Sequence, residues 1–71
     1  MVKLPGIKPK ELVKKLTKLG FQITRQTGSH IRLIHSDGRA TTVAMHIRDL
    51  PKGTLRAILT QCELNISDLT K

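Results

Sequence analysis

Three histidines, His30, His35 and His46, are the side chains of this sequence best suited to proton transfer. Histidine changes charge near neutral pH, so it can act as a general base or as a general acid. His30 closes the triplet Gly28-Ser29-His30, where one segment of alternating polar and apolar residues ends and another begins. A histidine held in a strand beside basic residues is suited to the cleavage of phosphodiester bonds. A surface histidine that only forms hydrogen bonds would fit the same position, so both interpretations stay open on these residues alone.

The other two histidines differ in the face of the sheet that they are expected to occupy. His46 follows the third alternating segment, where it could protonate a leaving group, orient RNA or be an ordinary loop residue. The two-residue period of a strand places His35 on the side opposite His30, toward the helices. His30, with or without His46, is therefore the expected centre of any acid–base chemistry.

The charge balance indicates a polyanionic partner. The 71 residues carry 13 lysines and arginines against 5 acids, a formal net charge of +8, and eight of these cations lie in residues 1–35. Such a field attracts nucleic acid first and an acidic protein second, although a solvated helix face would carry the same lysines. The candidate RNA contacts are Ser29, Arg32, Arg25, Lys14, Lys15, Lys18 and the helix start Lys52, Gly53, Thr54, whose backbone N–H groups could bind an anion.

Several classes of protein are excluded. The five carboxylates are scattered over predicted loops and helix faces, so no metal site is expected, and the sequence has no Gly-rich phosphate loop followed by Lys-Ser or Lys-Thr. We expect no cofactor. The single cysteine, Cys62, lies in an apolar series that predicts a core position. No membrane span or signal peptide is evident, and a reduced cytoplasmic setting is expected.

Hydrophobic periodicity predicts one α+β domain over residues 1–71, with the order α-β-β-β-α. The first helix is expected to start at Pro9 and to close at Gly20, and the second to run from about Lys52 to Cys62. The three strands between them form one antiparallel sheet. Asp37-Gly38 predicts a type I′ turn between the second and third strands, because both central positions of that turn need positive φ.

The same periodicity predicts that both helices pack on one face of the sheet. The other face then carries His30, Arg32, Thr42, Ala44 and His46. Strict alternation puts Arg25 on the helix side, with Phe21 and Ile23. A bulge or a one-residue slip would change these assignments.

The chain resembles the HicA (YcfA-like) toxins of type II toxin–antitoxin systems in three features taken together. These are the Gly28-Ser29-His30 triplet in a strand, the hairpin, and the run Lys52-Gly53-Thr54-Leu55-Arg56-Ala57-Ile58-Leu59. The resemblance covers nearly the whole chain. It implies a fold like that of double-stranded-RNA-binding domains, ribosome-independent cleavage of mRNA, and neutralisation by a HicB-like antitoxin. The family's catalytic histidine corresponds to His30. The family often has proline where this chain has Ala44, which leaves the role of His46 open.

A non-catalytic double-stranded-RNA-binding module is the alternative function, since the same fold and charge would serve it. Phe21 is the only aromatic residue and is expected in the core, so no platform exists for stacking single-stranded bases. Recognition of the RNA through its sugar–phosphate backbone and its shape fits both the nuclease and the binding module. Only the Gly-Ser-His motif separates them.

Overall fold

The computed structural model describes residues 6–46 and 48–69 and confirms the predicted order of elements. The elements are α1 (Pro9–Lys18), β1 (Phe21–Thr27), β2 (His30–His35), β3 (Ala40–Ala44), α2 (Lys52–Gln61) and a single turn, α3 (Ile66–Leu69). The strands form one antiparallel sheet in the order β1-β2-β3. This is an α+β fold of the kind found in double-stranded-RNA-binding domains.

Local sequence explains where α1 begins and ends. Pro9 occupies its first turn, where a missing N–H costs nothing, and an extended Lys8 precedes it. Basic side chains in the last turn complement the negative end of the helix dipole. The chain leaves the helix through Gly20, whose φ of 100° favours glycine. An added Cβ there would also lie 2.8 Å from Nε2 of His35, so the tight packing of the helix end on the sheet needs this glycine as well.

The core lies between the helices and one face of the sheet. That covered face carries the buried residues Phe21, Ile31, Leu33, Thr41 and Val43. The helices supply the rest of the core through Leu12, Val13, Leu16, Leu55, Ile58 and Leu59, and Cys62 is fully buried as predicted. No helix in the described part of the chain has the length and apolar composition of a membrane span.

The predicted hairpin between β2 and β3 is confirmed, but the predicted type of its turn is wrong. Gly38 has a φ of 99°, whereas Asp37 does not have positive φ, so the loop is not type I′. Instead the Gly38 N–H donates to the His35 carbonyl, and the His35 N–H donates to the Arg39 carbonyl. This is a three-residue loop, a turn followed by a left-handed glycine. The extra residue lets Asp37 keep an ordinary backbone.

Arg39 fastens this hairpin to the end of α2. Its Nε donates to Oδ2 of Asp37 over 2.8 Å, and its Nη1 donates to the carbonyl of Cys62 over 2.7 Å. The guanidinium also lies over the ring of Phe21, 5.2 Å from its centre. Nearby, the Thr41 hydroxyl bonds Oε1 of Gln61 over 2.7 Å. The link between β3 and α2 is therefore partly polar.

This arrangement predicts a pH dependence of stability. The hydrogen bond from the Arg39 side chain, helped by its backbone N–H, lowers the pKa of Asp37 below its ordinary value of 3.8. A lowered folded-state pKa contributes stability that is complete above 3.8 and is lost as the pH falls through the lower value. The urea midpoint of the wild type should therefore fall in that range, and Asp37→Asn should lack this part of the fall. Asp49→Asn is the matched control, and identical pH profiles for Asp37→Asn and wild type would contradict the assignment.

Candidate active site

A two-residue turn fixes His30 at the start of β2. Gly28 and Ser29 connect Thr27 to His30, which are directly opposite each other in the β1–β2 pairing. Gly28 has a φ of 58° and Ser29 does not have positive φ, the pattern of a type II′ turn with glycine first. The space around Gly28 is open, so the glycine is needed for its backbone angle. The Ser29 carbonyl accepts the Met45 N–H at 2.6 Å, which anchors the turn to the chain after β3.

The sheet face away from the helices, called the open face below, is a grid of three rows. Residues directly opposite on neighbouring strands share a face. The rows are Thr27, His30, Ala44; then Arg25, Arg32, Thr42; then Gln22, Ile34, Ala40. His30 and Arg32 are exposed at the centre, and the β3 side carries only small residues. The predicted grouping of His30, Arg32, Thr42 and Ala44 is confirmed, whereas His46, expected on the same face, lies past the end of β3 and outside the strand pairing.

Arg25 lies on the open face, and its predicted position on the helix side is wrong. Ile23 pairs with Leu33 and Arg25 with Arg32, so Thr24 is an extra residue, a β-bulge. The bulge reverses the alternation, which is why Phe21 and Ile23 face the helices but Arg25 does not. Nothing in the residue types of this strand signals the bulge. Arg25 is thus adjacent to the site that the sequence assigned to His30 and Arg32.

Thr42 is a site residue whose contact the sequence did not predict. Nη1 of Arg32 donates to Oγ1 of Thr42 over 3.2 Å, across the gap between β2 and β3. This bond orients the guanidinium, and its other N–H groups have no partner among the described residues. Sequence reasoning missed this contact because it depends on the register between β2 and β3, in which the two residues are directly opposite.

His46 lies beyond β3, two residues after Ala44, and is exposed. It lines a surface depression with Pro9, Arg48, Asp49, Leu50 and Pro51. The depression borders the starts of α1 and α2. Arg48 and Asp49 are therefore neighbours of His46 that the sequence did not single out.

His35 and Cys62 are not part of the open face. His35 packs edge-on against Phe21 with ring centres 5.1 Å apart, and its Nδ1 lies 3.1 Å from both the Asp37 backbone nitrogen and Oδ1. The prediction that it faces the helices is confirmed. Burial raises the pKa of the Cys62 thiol, only partly offset by Arg39. A neutral buried thiol is a poor nucleophile.

The other candidate RNA-binding residues, on α1 and at the start of α2, lie outside the open face. Lys14 and Lys18 are exposed on α1 and Lys15 is half-buried, so they belong to the helix layer behind the sheet. Lys52, Gly53 and Thr54 are exposed at the start of α2, where the N-cap Pro51 provides no side-chain hydrogen bond. Within the described ranges, no three His, Cys, Asp or Glu side chains are grouped so that they could hold a metal ion. Basic groups therefore surround the fold, with His30 and two arginines concentrated on one face.

Comparison with known families decides what kind of protein this is. The family model for the HicA toxin of bacterial toxin–antitoxin systems matches residues 9–64, which include the whole sheet and both long helices. The chain belongs to the HicA toxin family. No curated protein sequence matches it. This HicA chain is thus the toxin component of a toxin–antitoxin system, with an antitoxin as its partner, and the match confirms the resemblance that the Gly-Ser-His motif and the α2 segment indicated.

Proposed function

We propose that this HicA toxin is an endoribonuclease that cleaves mRNA independently of the ribosome, with His30 as its catalytic residue and without a metal ion. The observation that carries the proposal is the exposed imidazole of His30 on the open face, in the row next to two arginines. A merely structural histidine would pack as His35 does, against an aromatic ring and a carboxylate. His30 has no such partners among the described residues, so its imidazole is available to a substrate.

RNA supplies its own nucleophile for such a reaction. His30 removes the proton of a ribose 2′-hydroxyl, the 2′-oxygen attacks the adjacent phosphorus, and the bond to the 5′-oxygen breaks. An acid donates a proton to that leaving oxygen. The products are a 2′,3′-cyclic phosphate and a 5′-hydroxyl end. Arginine on the same face stabilises the extra negative charge that develops on the phosphorane.

His46 is the candidate for the acid or for a group that orients the RNA. Its place in the depression with Arg48 and Asp49 supports contact with a nucleotide next to the scissile bond. Its position two residues past Ala44, the partner of His30, puts both histidines at the same end of the sheet.

Binding energy comes from the basic surface rather than from base stacking. Phe21, the only aromatic residue, is buried, so backbone contacts dominate. On the open face, RNA phosphates are contacted by Ser29, Arg32 and Arg25. Long-range electrostatic attraction of RNA comes from the lysines of α1, Lys14, Lys15 and Lys18. Backbone N–H groups at the start of α2 can bind a phosphate, and they belong to Lys52, Gly53 and Thr54. The attraction should be independent of sequence and sensitive to salt.

The antitoxin of this system is proposed to be an acidic, HicB-like protein that covers the open face. A 71-residue chain with a core on one side of its sheet does not enclose its reactive face, so inhibition must come from a partner. A surface with a net charge of +8 favours an acidic partner and speeds its association. The antitoxin then competes with RNA for His30 and Arg32.

The first prediction of the proposed function concerns His30. His30→Ala should lower the rate of RNA cleavage by about 10²–10⁴-fold, the usual contribution of general acid–base catalysis, and should abolish growth inhibition. The melting temperature should stay the same, because an exposed side chain contributes little packing. The measurement is a single-turnover cleavage assay on one RNA, with circular dichroism of each variant.

Gln22→Ala, which alters the open face two rows from His30, is the matched control and should cleave normally. His46→Ala in the same assay separates the two roles of His46: loss of rate with unchanged RNA affinity indicates the acid, and loss of affinity indicates orientation. Full activity of a folded His30→Ala protein would disprove the assignment. Tight binding of double-stranded RNA without any cleavage by the wild type would instead establish the non-catalytic module.

The second prediction concerns metal ions. Cleavage should continue in excess EDTA, because His30 and the ribose 2′-hydroxyl provide the base and the nucleophile. Product ends are the second readout, since a 2′,3′-cyclic phosphate follows from attack by the 2′-oxygen. Loss of activity in EDTA that Mg²⁺ alone restores would overturn the acid–base mechanism.

The third prediction concerns neutralisation. Binding of the antitoxin should slow hydrogen exchange or chemical modification in residues 25–46 and should prevent RNA binding. The control region is the exposed side of α1, which should exchange at the same rate with and without the partner. Protection confined to the helices, with His30 still reactive, would show that inhibition acts from a distance.

A further inference from the structure

Arg25 and Arg32 are directly opposite each other on the open face of β1 and β2. Side chains in this relation have Cβ atoms about 4.5–5.5 Å apart, so both guanidinium groups can reach the same ligand on this face. Like charges in a cross-strand pair destabilise a sheet. Such a pair is expected where an anion relieves the repulsion.

Neither arginine has a counter-charge in the described part of the chain. The ion pairs there are those of Asp37 with His35 and Arg39, on the other side of the sheet. Arg32 uses one N–H group on the Thr42 hydroxyl, and the side chain of Arg25 has no hydrogen-bond partner among the described residues. Most of the donors of both guanidinium groups are therefore free to bind a ligand.

The β-bulge at Thr24 is the reason that Arg25 and Arg32 lie on the same face. Without it, alternation from Ile23 would turn Arg25 to the helix side. The Thr24 hydroxyl bonds the Arg32 carbonyl at 3.5 Å, so the extra residue is tied to the strand that carries the second arginine. Bulges next to active sites commonly redirect a side chain in this way.

We propose that Arg25 and Arg32 form a paired-arginine site that binds one backbone phosphate of RNA beside His30. Guanidinium groups match the two non-bridging oxygens of a phosphodiester and form charge-assisted hydrogen bonds with them. Arg25 is diagonal to His30, and diagonal neighbours are about 7–8 Å apart. A phosphate held by both arginines therefore places the next ribose or phosphate within reach of the imidazole. The proposal rests on the proposed function only in taking RNA as the ligand.

A charge-preserving exchange tests the site. Gln26 follows Arg25 and is opposite Ile31, so its exposed side chain belongs to the other face of the strand. The double variant Arg25→Gln with Gln26→Arg keeps the net charge and moves the guanidinium by one residue to that face. Binding of a fluorescent RNA made uncleavable by 2′-O-methylation is measured for this variant, for Arg25→Gln and for Arg56→Gln, an exposed charge on α2. All are made in the His30→Ala background.

Arg25→Gln and the exchanged variant should both lose about 10- to 100-fold in affinity, as expected for charge-assisted hydrogen bonds. The slope of log affinity against log salt should fall by about 0.7 per lost phosphate contact on a single strand. Arg56→Gln should change affinity far less. Neither Arg25 variant should lower the melting temperature, and Arg25→Gln should raise it slightly, because the like-charge pair is removed.

Recovery of affinity in the exchanged variant would overturn the proposal, because only the local charge would then matter. Unchanged affinity in Arg25→Gln would overturn it as well. If Arg25→Gln binds RNA normally but loses only the antitoxin, the pair holds an acidic protein and not a phosphate. These results are independent of the proposed catalysis, since binding is measured with an RNA that cannot be cleaved and a protein without His30.

Discussion

The one-sided core is the constraint on which the rest of this structure depends. Seventy-one residues supply enough apolar surface to cover one face of a three-stranded sheet, and α1 and α2 cover it. Strand residues alternate, so the residues that do not contribute to the core necessarily collect on the other face. His30 and Arg32 are exposed because Ile31 and Leu33, their neighbours in sequence, are buried. Core residues and exposed polar residues thus alternate along β2.

Two local backbone features adjust this simple scheme. The type II′ turn at Gly28 places His30 as the first residue of β2, where strand pairing on both sides holds it. The bulge at Thr24 changes which face Arg25 occupies. The turn uses two residues to connect β1 to β2, and the bulge inserts one residue that redirects Arg25. Together they bring a histidine and two arginines into adjacent rows of the open face.

Much of this could be predicted from the sequence, and the exceptions have definite physical reasons. The positions of α1, the three strands and α2 follow from apolar periodicity and from Pro9, Gly20 and Pro51. The side occupied by Arg25 could not be predicted, because a bulge depends on hydrogen bonds between strands and not on one strand's residue types. The loop at Asp37 was assigned the wrong turn type, because the same Asp-Gly pair also suits a three-residue loop. The surroundings of His46 depend on a loop that packs near Pro9, far away in sequence.

The sheet consists of two consecutive hairpins with loops of two and three residues, so each strand pairs with its neighbour along the chain. Such contacts close short loops and lose little chain entropy before they form, which favours rapid folding. Newly synthesised toxin therefore spends little time as an unfolded chain. For the cell, the interval before inhibition is set by how soon the antitoxin meets the folded protein. Rapid folding of this topology therefore favours a system in which the antitoxin is available while the toxin is being made.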